Sequence, residues 1–194
     1  MSNNVSIKGV DVIGLGYQIG VGKDTVAEYL RQKYAFKIMK FADALKEAVS
    51  IIFGWPREKL EDPEFKTVED PFWGMTPRTA LQLVGTEGMR QGVRNDVWVK
   101  ALERRILDQD LSAVAISDMR FTNEVQAVKD WGGFTVKVFR PEKHKGGLTA
   151  GGIAKHASEV ELDEYEDWDY QLFNVTTIED LQRKIDVMME ALYP

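Results

Sequence analysis

The stretch GLGYQIGVGKDTVAEYL at residues 14–30 carries the residues best suited to chemistry. Gly16, Gly20 and Gly22 tolerate positive φ, which lets consecutive backbone N–H groups turn inward around an anion. Lys23 offers a mobile positive charge that reaches the β- and γ-phosphates of a nucleoside triphosphate, and a helix opening at Lys23 would set its positive end behind them. The strict spacing G-x-x-x-x-G-K-[ST] fails at two positions: Tyr17 stands in place of the first glycine, and Asp24 in place of the hydroxyl that ligates magnesium. If Gly16 takes over as first glycine, the loop gains a residue and must bulge. Asp24 would offer a hard divalent ion a carboxylate oxygen, while Thr25 gives its hydroxyl to a phosphate. Gly20, Val21, Gly22, Lys23, Asp24 and Thr25 are therefore the candidate triphosphate-binding residues.

Two further places supply charge. Asp118 follows the apolar run SAVAIS and so falls at the C-terminal end of a buried strand, where ligands bind in open α/β sheets; with Asp24 it forms the candidate magnesium-binding pair. Arg120, two residues on, would stabilise charge on a transferring phosphoryl group, and the alternative is a structural ion pair with Asp118. Arg78 lies in the first turn of a helix announced by Thr76 and Pro77, where its planar fork suits a second phosphate. Lys23, Arg78 and Arg120 are the candidate catalytic residues.

These side chains need a frame, and the order of elements supplies one. A strand ends at Leu15, and Val26, Ala27, Leu30 and Tyr34 then recur with helical spacing. Residues 36–39 predict a second strand, and Leu45, Val49 and Phe53 share a face of the next helix. Residues 54–75, rich in proline and charge, predict a surface insertion. The helix after Thr76 is expected to be interrupted at Gly85, and a further amphipathic helix covers 96–107. SAVAIS, FTVKVF and YQLFNV predict strands; FTNEVQAVKDW predicts a helix closed by Gly132 and Gly133, and Thr177 with Asp180 a capping box for the last helix. Strand and helix alternate throughout, which predicts one domain over 1–194 with a central parallel sheet and helices on both faces. Residues 141–158, with four glycines, three lysines and both histidines, predict a mobile lid; the acidic cluster at 159–169 reads as a solvated face without chemistry.

At 194 residues with a net charge of −6, the chain lacks the basic surface that a sequence-independent grip on nucleic acid requires. It contains no cysteine, which excludes disulfides and a thiolate nucleophile. No window approaches a membrane span and no signal sequence is evident, so a cytoplasmic protein is expected.

The Gly-Lys-Asp-Thr variant, together with FADALK, TPRTALQLVGTEGMR, DVWV, ISDMRFTNEVQAV and HASE in this order, resembles the deoxynucleoside monophosphate kinases of tailed bacteriophages. The resemblance runs from about residue 12 to 180. It implies a three-layer P-loop kinase fold with a monophosphate-binding insertion and a lid, and ATP-dependent transfer to a deoxynucleoside monophosphate with Mg2+. It also implies that Leu45, Lys46, Lys66, Arg78, Gly85, Thr86 and Trp98 bind the acceptor, with Trp98 stacking on the base. Glu87 and Arg90 are left between pairing with each other and touching the base. Small nucleotides are the expected partners, with a homodimer left open. A small P-loop kinase for another phosphorylated metabolite is the nearest rival. A nucleotide switch would be expected to carry Asn-Lys-x-Asp, which is absent.

Overall fold

The computed structural model describes residues 7, 9–141 and 160–194. The lid expected at 141–158 and the HASE motif therefore lie outside the described residues, apart from Pro141. The chain divides into two compact units, 1–40 with 103–194, and 41–102.

The first unit is built on five parallel strands: β1 (Asp11–Gly16), β2 (Lys37–Met39), β3 (Ala113–Met119), β4 (Phe134–Phe139) and β5 (Tyr170–Phe173), in the order β2-β3-β1-β4-β5. Connections run from β1 outward to β2 and from β3 back across to β4, so the direction of winding reverses at β1. In an open parallel sheet that reversal leaves a crevice beyond the carboxyl ends of the strands. The glycine-rich stretch begins at the carboxyl end of β1.

Alternation along the strands sorts the two faces. Ile13 and Leu15 of β1 join Ala115, Val136, Val138 and Leu172 in a core closed by α1 (Lys23–Tyr34) and the C-terminal helix, here α6 (Ile178–Leu192), through Val26, Leu30, Leu181 and Ile185. The opposite face meets α5 (Thr122–Asp130). A Cβ added at Gly14 would lie 2.5 Å from Met119 Sδ and 3.0 Å from Val128 Cγ2, so the absence of a side chain there lets that layer close on the sheet. Helices thus cover both faces, as the alternating pattern requires. The last helix starts as expected, with Thr177 Oγ1 accepting from the Asp180 backbone N–H.

The acidic segment is exposed at most of its carboxylates, as expected of a solvated face, and is anchored as well. Asp163 accepts from Gln18, Glu161 from the backbone and hydroxyl of Thr122, Asp167 from Lys129, and Asp169 from the backbone and hydroxyl of Thr135. Leu162 is buried among them. The carboxylates thus combine exposure to solvent with hydrogen bonds that fasten the segment to the rest of the first unit.

The second unit contains α2 (Asp43–Phe53), 3-10 turns at Arg57–Glu61 and Phe65–Thr67, α3 (Pro77–Gln82), a π-helix at Leu83–Gln91, and the first half of α4 (Val97–Asp108). Val49, Trp55, Leu60 and Ala80 form its core, with Leu45, Phe53, Phe65 and Met75 packed against it. The stretch 54–75 is therefore more than a surface insertion: Trp55, Leu60, Phe65 and Met75 sit at irregular intervals, without a sequence period, yet they help to fill this core, while Val68 and Phe72 stay exposed. Thr76 caps α3 by accepting from Thr79 N–H, with Pro77 in the first turn. Gly85 does not interrupt the helix. The backbone widens into the π-helix and passes through Gly85.

Candidate active site

The loop after β1 takes an unexpected route. Tyr17 adopts φ +92°, a left-handed conformation that costs a non-glycine residue about 1–2 kcal/mol. A positive φ is a conformation that glycine adopts without that cost. Gly16 remains in β1, where a Cβ would lie 2.4 Å from Trp168 Cη2. The strand ladder between β1 and β3 shifts register at Gly14/Gly16, just before the loop. The Tyr17 side chain is 5% exposed, packed on Phe139, with Lys137 Nζ 4.4 Å from the ring centroid. These contacts hold the strained backbone in place.

Gly20 and Gly22 also carry positive φ, +76° and +101°. Space around Gly20 is open, whereas a Cβ at Gly22 would meet Asn174 Nδ2 at 2.4 Å. Asn174 donates to the Val21 carbonyl, tying the loop to the end of β5. Gly22 is the N-cap of α1, and no side chain caps that end. Uncapped N–H groups and the helix dipole therefore face the loop, which is the arrangement that binds phosphate.

Lys23 lies at the centre. Only 9% exposed, its Nζ donates to the carbonyls of Tyr17 (3.0 Å) and Gln18 (2.5 Å). Burial and the nearby Arg120 guanidinium push its pKa down to about 8, against the opposing pull of Asp118 and Asp24. Asp24 is exposed; its carboxylate accepts from Ser117 Oγ at 3.0 Å and pairs with Lys40 Nζ at 3.1 Å. Burial raises the Asp24 pKa, but Lys40, Ser117 and Lys23 outweigh it and leave the carboxyl below its ordinary value. Thr25 is exposed beside it. Asp118 and Arg120 lie at and just past the end of β3, and the Arg120 backbone N–H donates to buried Glu124. Asp24, Asp118 and Arg120 thus all lie near enough to act on the charge of Lys23.

A divalent cation fits here on the chemistry of the donors. Asp24 presents carboxylate oxygen at the loop and already holds a cation, the Lys40 ammonium. Among the described residues no group of three or more His, Cys, Asp or Glu could hold a metal. An ion at Asp24 would therefore complete its shell with phosphate oxygens and water, as Mg2+ commonly does.

The second unit holds the other predicted residues. Leu45 and Gly85 are neighbours: a Cβ on Gly85 would lie 2.7 Å from Leu45 Cδ2. Trp98 is 7% exposed and donates its indole N–H to the Gly85 carbonyl at 2.9 Å, so it serves as a buried brace of the π-helix, and stacking on a base would need a ring face that is covered here. Thr86 follows, partly buried. Lys46 pairs with Glu61 at 2.6 Å; Glu61 also takes Arg57, which reaches Asp43. Arg78 is exposed in the first turn of α3, and Lys66 is partly buried in its 3-10 turn. Arg90 is buried and donates to the Asn95 carbonyl.

Sequence reasoning missed Gln18, Lys40, Ser117 and Asn174. The last two meet the loop across long sequence separations, in Ser117–Asp24 and Asn174–Val21. Only the position of Lys40 at the carboxyl end of β2 could have drawn attention to it.

No protein-family model matches the chain. A protein of Acanthamoeba polyphaga mimivirus described as a deoxynucleotide monophosphate kinase is 34% identical over 192 residues, covering 90% of this chain and 93% of its own length. The deoxynucleoside-5'-monophosphate kinase of Escherichia phage T5 is 36% identical over 83 residues, 39% of this chain and 33% of its own. Among solved structures, TT1252 from Thermus thermophilus superposes with a TM-score of 0.58 at 20% identity, covering 96% of this chain and all of that one. Dephospho-CoA kinase from Campylobacter jejuni gives 0.50 at 14% identity, covering 94% and 97%.

Proposed function

The chain belongs to the deoxynucleoside monophosphate kinase family, and from that premise we propose how its residues move the γ-phosphoryl group of ATP to a deoxynucleoside 5'-monophosphate, giving the diphosphate and ADP. The observation that carries the reading is the buried Lys23 ammonium, held by its own loop's carbonyls at the uncapped start of α1. That group is a cation stored where a triphosphate would sit.

On this reading the triphosphate lies against the backbone N–H groups of Gly20, Val21 and Gly22. Lys23 exchanges the carbonyls of Tyr17 and Gln18 for phosphate oxygens, and Thr25 donates its hydroxyl to a phosphate. Asp24 and Asp118 would hold Mg2+, whose charge would neutralise the phosphates. Arg120 meets the charge that develops on the transferring group. Phosphoryl transfer asks a protein mainly for such positioning and neutralisation, since little covalent chemistry falls to its side chains.

The acceptor needs its own cations and a wall for its base. Arg78 takes the 5'-phosphate through its fork, assisted by Lys46 and Lys66. Leu45, Gly85 and Thr86 line the base and sugar, and Trp98 acts by holding Gly85 in place.

Coupled measurement of ADP release, with ATP and each of the four common deoxynucleoside monophosphates and their ribose counterparts, tests the reading. Turnover is expected with at least one deoxynucleotide. Arg78→Ala should raise the acceptor KM, and Arg120→Ala should lower kcat. Absence of ADP release with every deoxynucleotide would sink the assignment, and an unchanged kcat in the Arg120 variant would remove its role.

A further inference from the structure

Lys40 follows directly on β2, at the carboxyl edge of the sheet where Asp24 in the first turn of α1 and Ser117 of β3 also meet. Its ammonium lies 3.1 Å from Asp24 Oδ1, the same oxygen that accepts from Ser117 Oγ. The Asp24 side chain is 77% exposed and so accessible to a second cation, whereas Lys40 is 24% exposed. One carboxylate thus faces a resident cation on one side and solvent on the other.

From this geometry we propose that Lys40 is a positioning residue that occupies the metal-binding carboxylate in the nucleotide-free protein and yields it when a metal nucleotide arrives. The proposal rests on the reading of Asp24 as a magnesium ligand. Two cations compete for one carboxylate, so the metal's affinity is set partly by how firmly Lys40 holds on. Displaced, the Lys40 ammonium is released beside the phosphates that brought the metal, so positive charge is conserved at the site instead of being lost. Ser117 keeps its hydroxyl on Asp24 Oδ1 and holds the carboxylate oriented through the exchange.

The test is metal binding, not turnover. Mn2+ affinity of the protein without nucleotide is measured by the loss of free-ion EPR signal for wild type, Lys40→Met, Lys40→Arg and Asp24→Asn, each checked for folding by circular dichroism. A partly exposed ion pair of this kind holds back the metal by about fivefold, so Lys40→Met should lower the Mn2+ Kd by roughly that factor. Lys40→Arg keeps the charge and should stay near wild type, a result that a purely packing role would not give. An unchanged or higher Kd in Lys40→Met, with Asp24→Asn weakening Mn2+, overturns the proposal and leaves Asp24 as a ligand. Equal Kd values in Asp24→Asn and wild type overturn the proposal together with the magnesium role of Asp24.

Discussion

Replacing Lys23 by methionine should make the protein more stable while removing its activity. In the folded chain the pKa of Lys23 is pushed down from 10.5 to about 8, chiefly by burial and then by Arg120. At 1.36 kcal/mol per tenfold change, keeping that ammonium charged at pH 7 costs about 3 kcal/mol relative to a lysine in water. Methionine removes the cost and fits the buried space, but it strands the Tyr17 and Gln18 carbonyls that Lys23 now satisfies, at about 1 kcal/mol each. The net gain is about 1 kcal/mol, which for a chain of this length raises Tm by about 2–4 °C. The pH dependence is the sharper check. Below pH 8 lysine is protonated in both folded and unfolded chains, so the penalty is fully present. Between about 8 and 10.5 the unfolded chain binds more protons, so wild type should gain stability relative to the variant, by up to about 1.4 kcal/mol per pH unit. Urea unfolding of both proteins at pH 7, 8.5 and 10 reads this directly. A stability difference that stays constant over that range would refute the argument, whatever the activity of the variant.

Two other substitutions probe the frame. Tyr17→Gly relieves the backbone strain of a φ of +92°, about 1–2 kcal/mol, but loses a buried ring worth about 3–5 kcal/mol, so a net loss of about 2 kcal/mol is expected in urea; a more stable variant would show that the ring contributes little. Trp98→Phe keeps an aromatic ring but leaves the buried Gly85 carbonyl without its donor, so a loss of about 1–3 kcal/mol is expected, with a raised acceptor KM; full stability together with an unchanged KM would remove Trp98 as the brace.

The sequence revealed most where the information is local. Apolar spacing at Val26, Ala27 and Leu30 and the cap at Thr177 depend on neighbours a few residues away, and these elements appear where the pattern puts them. What escaped depends on distant partners. Nothing near Tyr17 announces a left-handed tyrosine, because the groups that secure it, Lys137 and Phe139, lie on another strand. The carboxylates of 161–169 look like a charged surface until Gln18, Thr122, Lys129 and Thr135 are seen opposite them. Gly85 reads as a helix breaker from propensity alone, but a π-helix braced by Trp98 accommodates it. The candidate site follows the same division: Lys23 and Asp118 were legible from motif and strand position, Lys40 and Ser117 were not.

The wide turns at Leu83–Gln91 have an implication for how this region could change length. A π-helix holds more residues per turn than an α-helix and accordingly has slack that an α-helix lacks. Deleting one residue there would let the coil tighten toward α geometry, and the wide turns would absorb most of the rotation of about 100° that the same deletion imposes on an ordinary α-helix. Arg78 and Trp98 stand on opposite flanks, so relatives one residue shorter here should keep the two in nearly the same relative orientation, which makes this stretch a place where length can change at small structural cost.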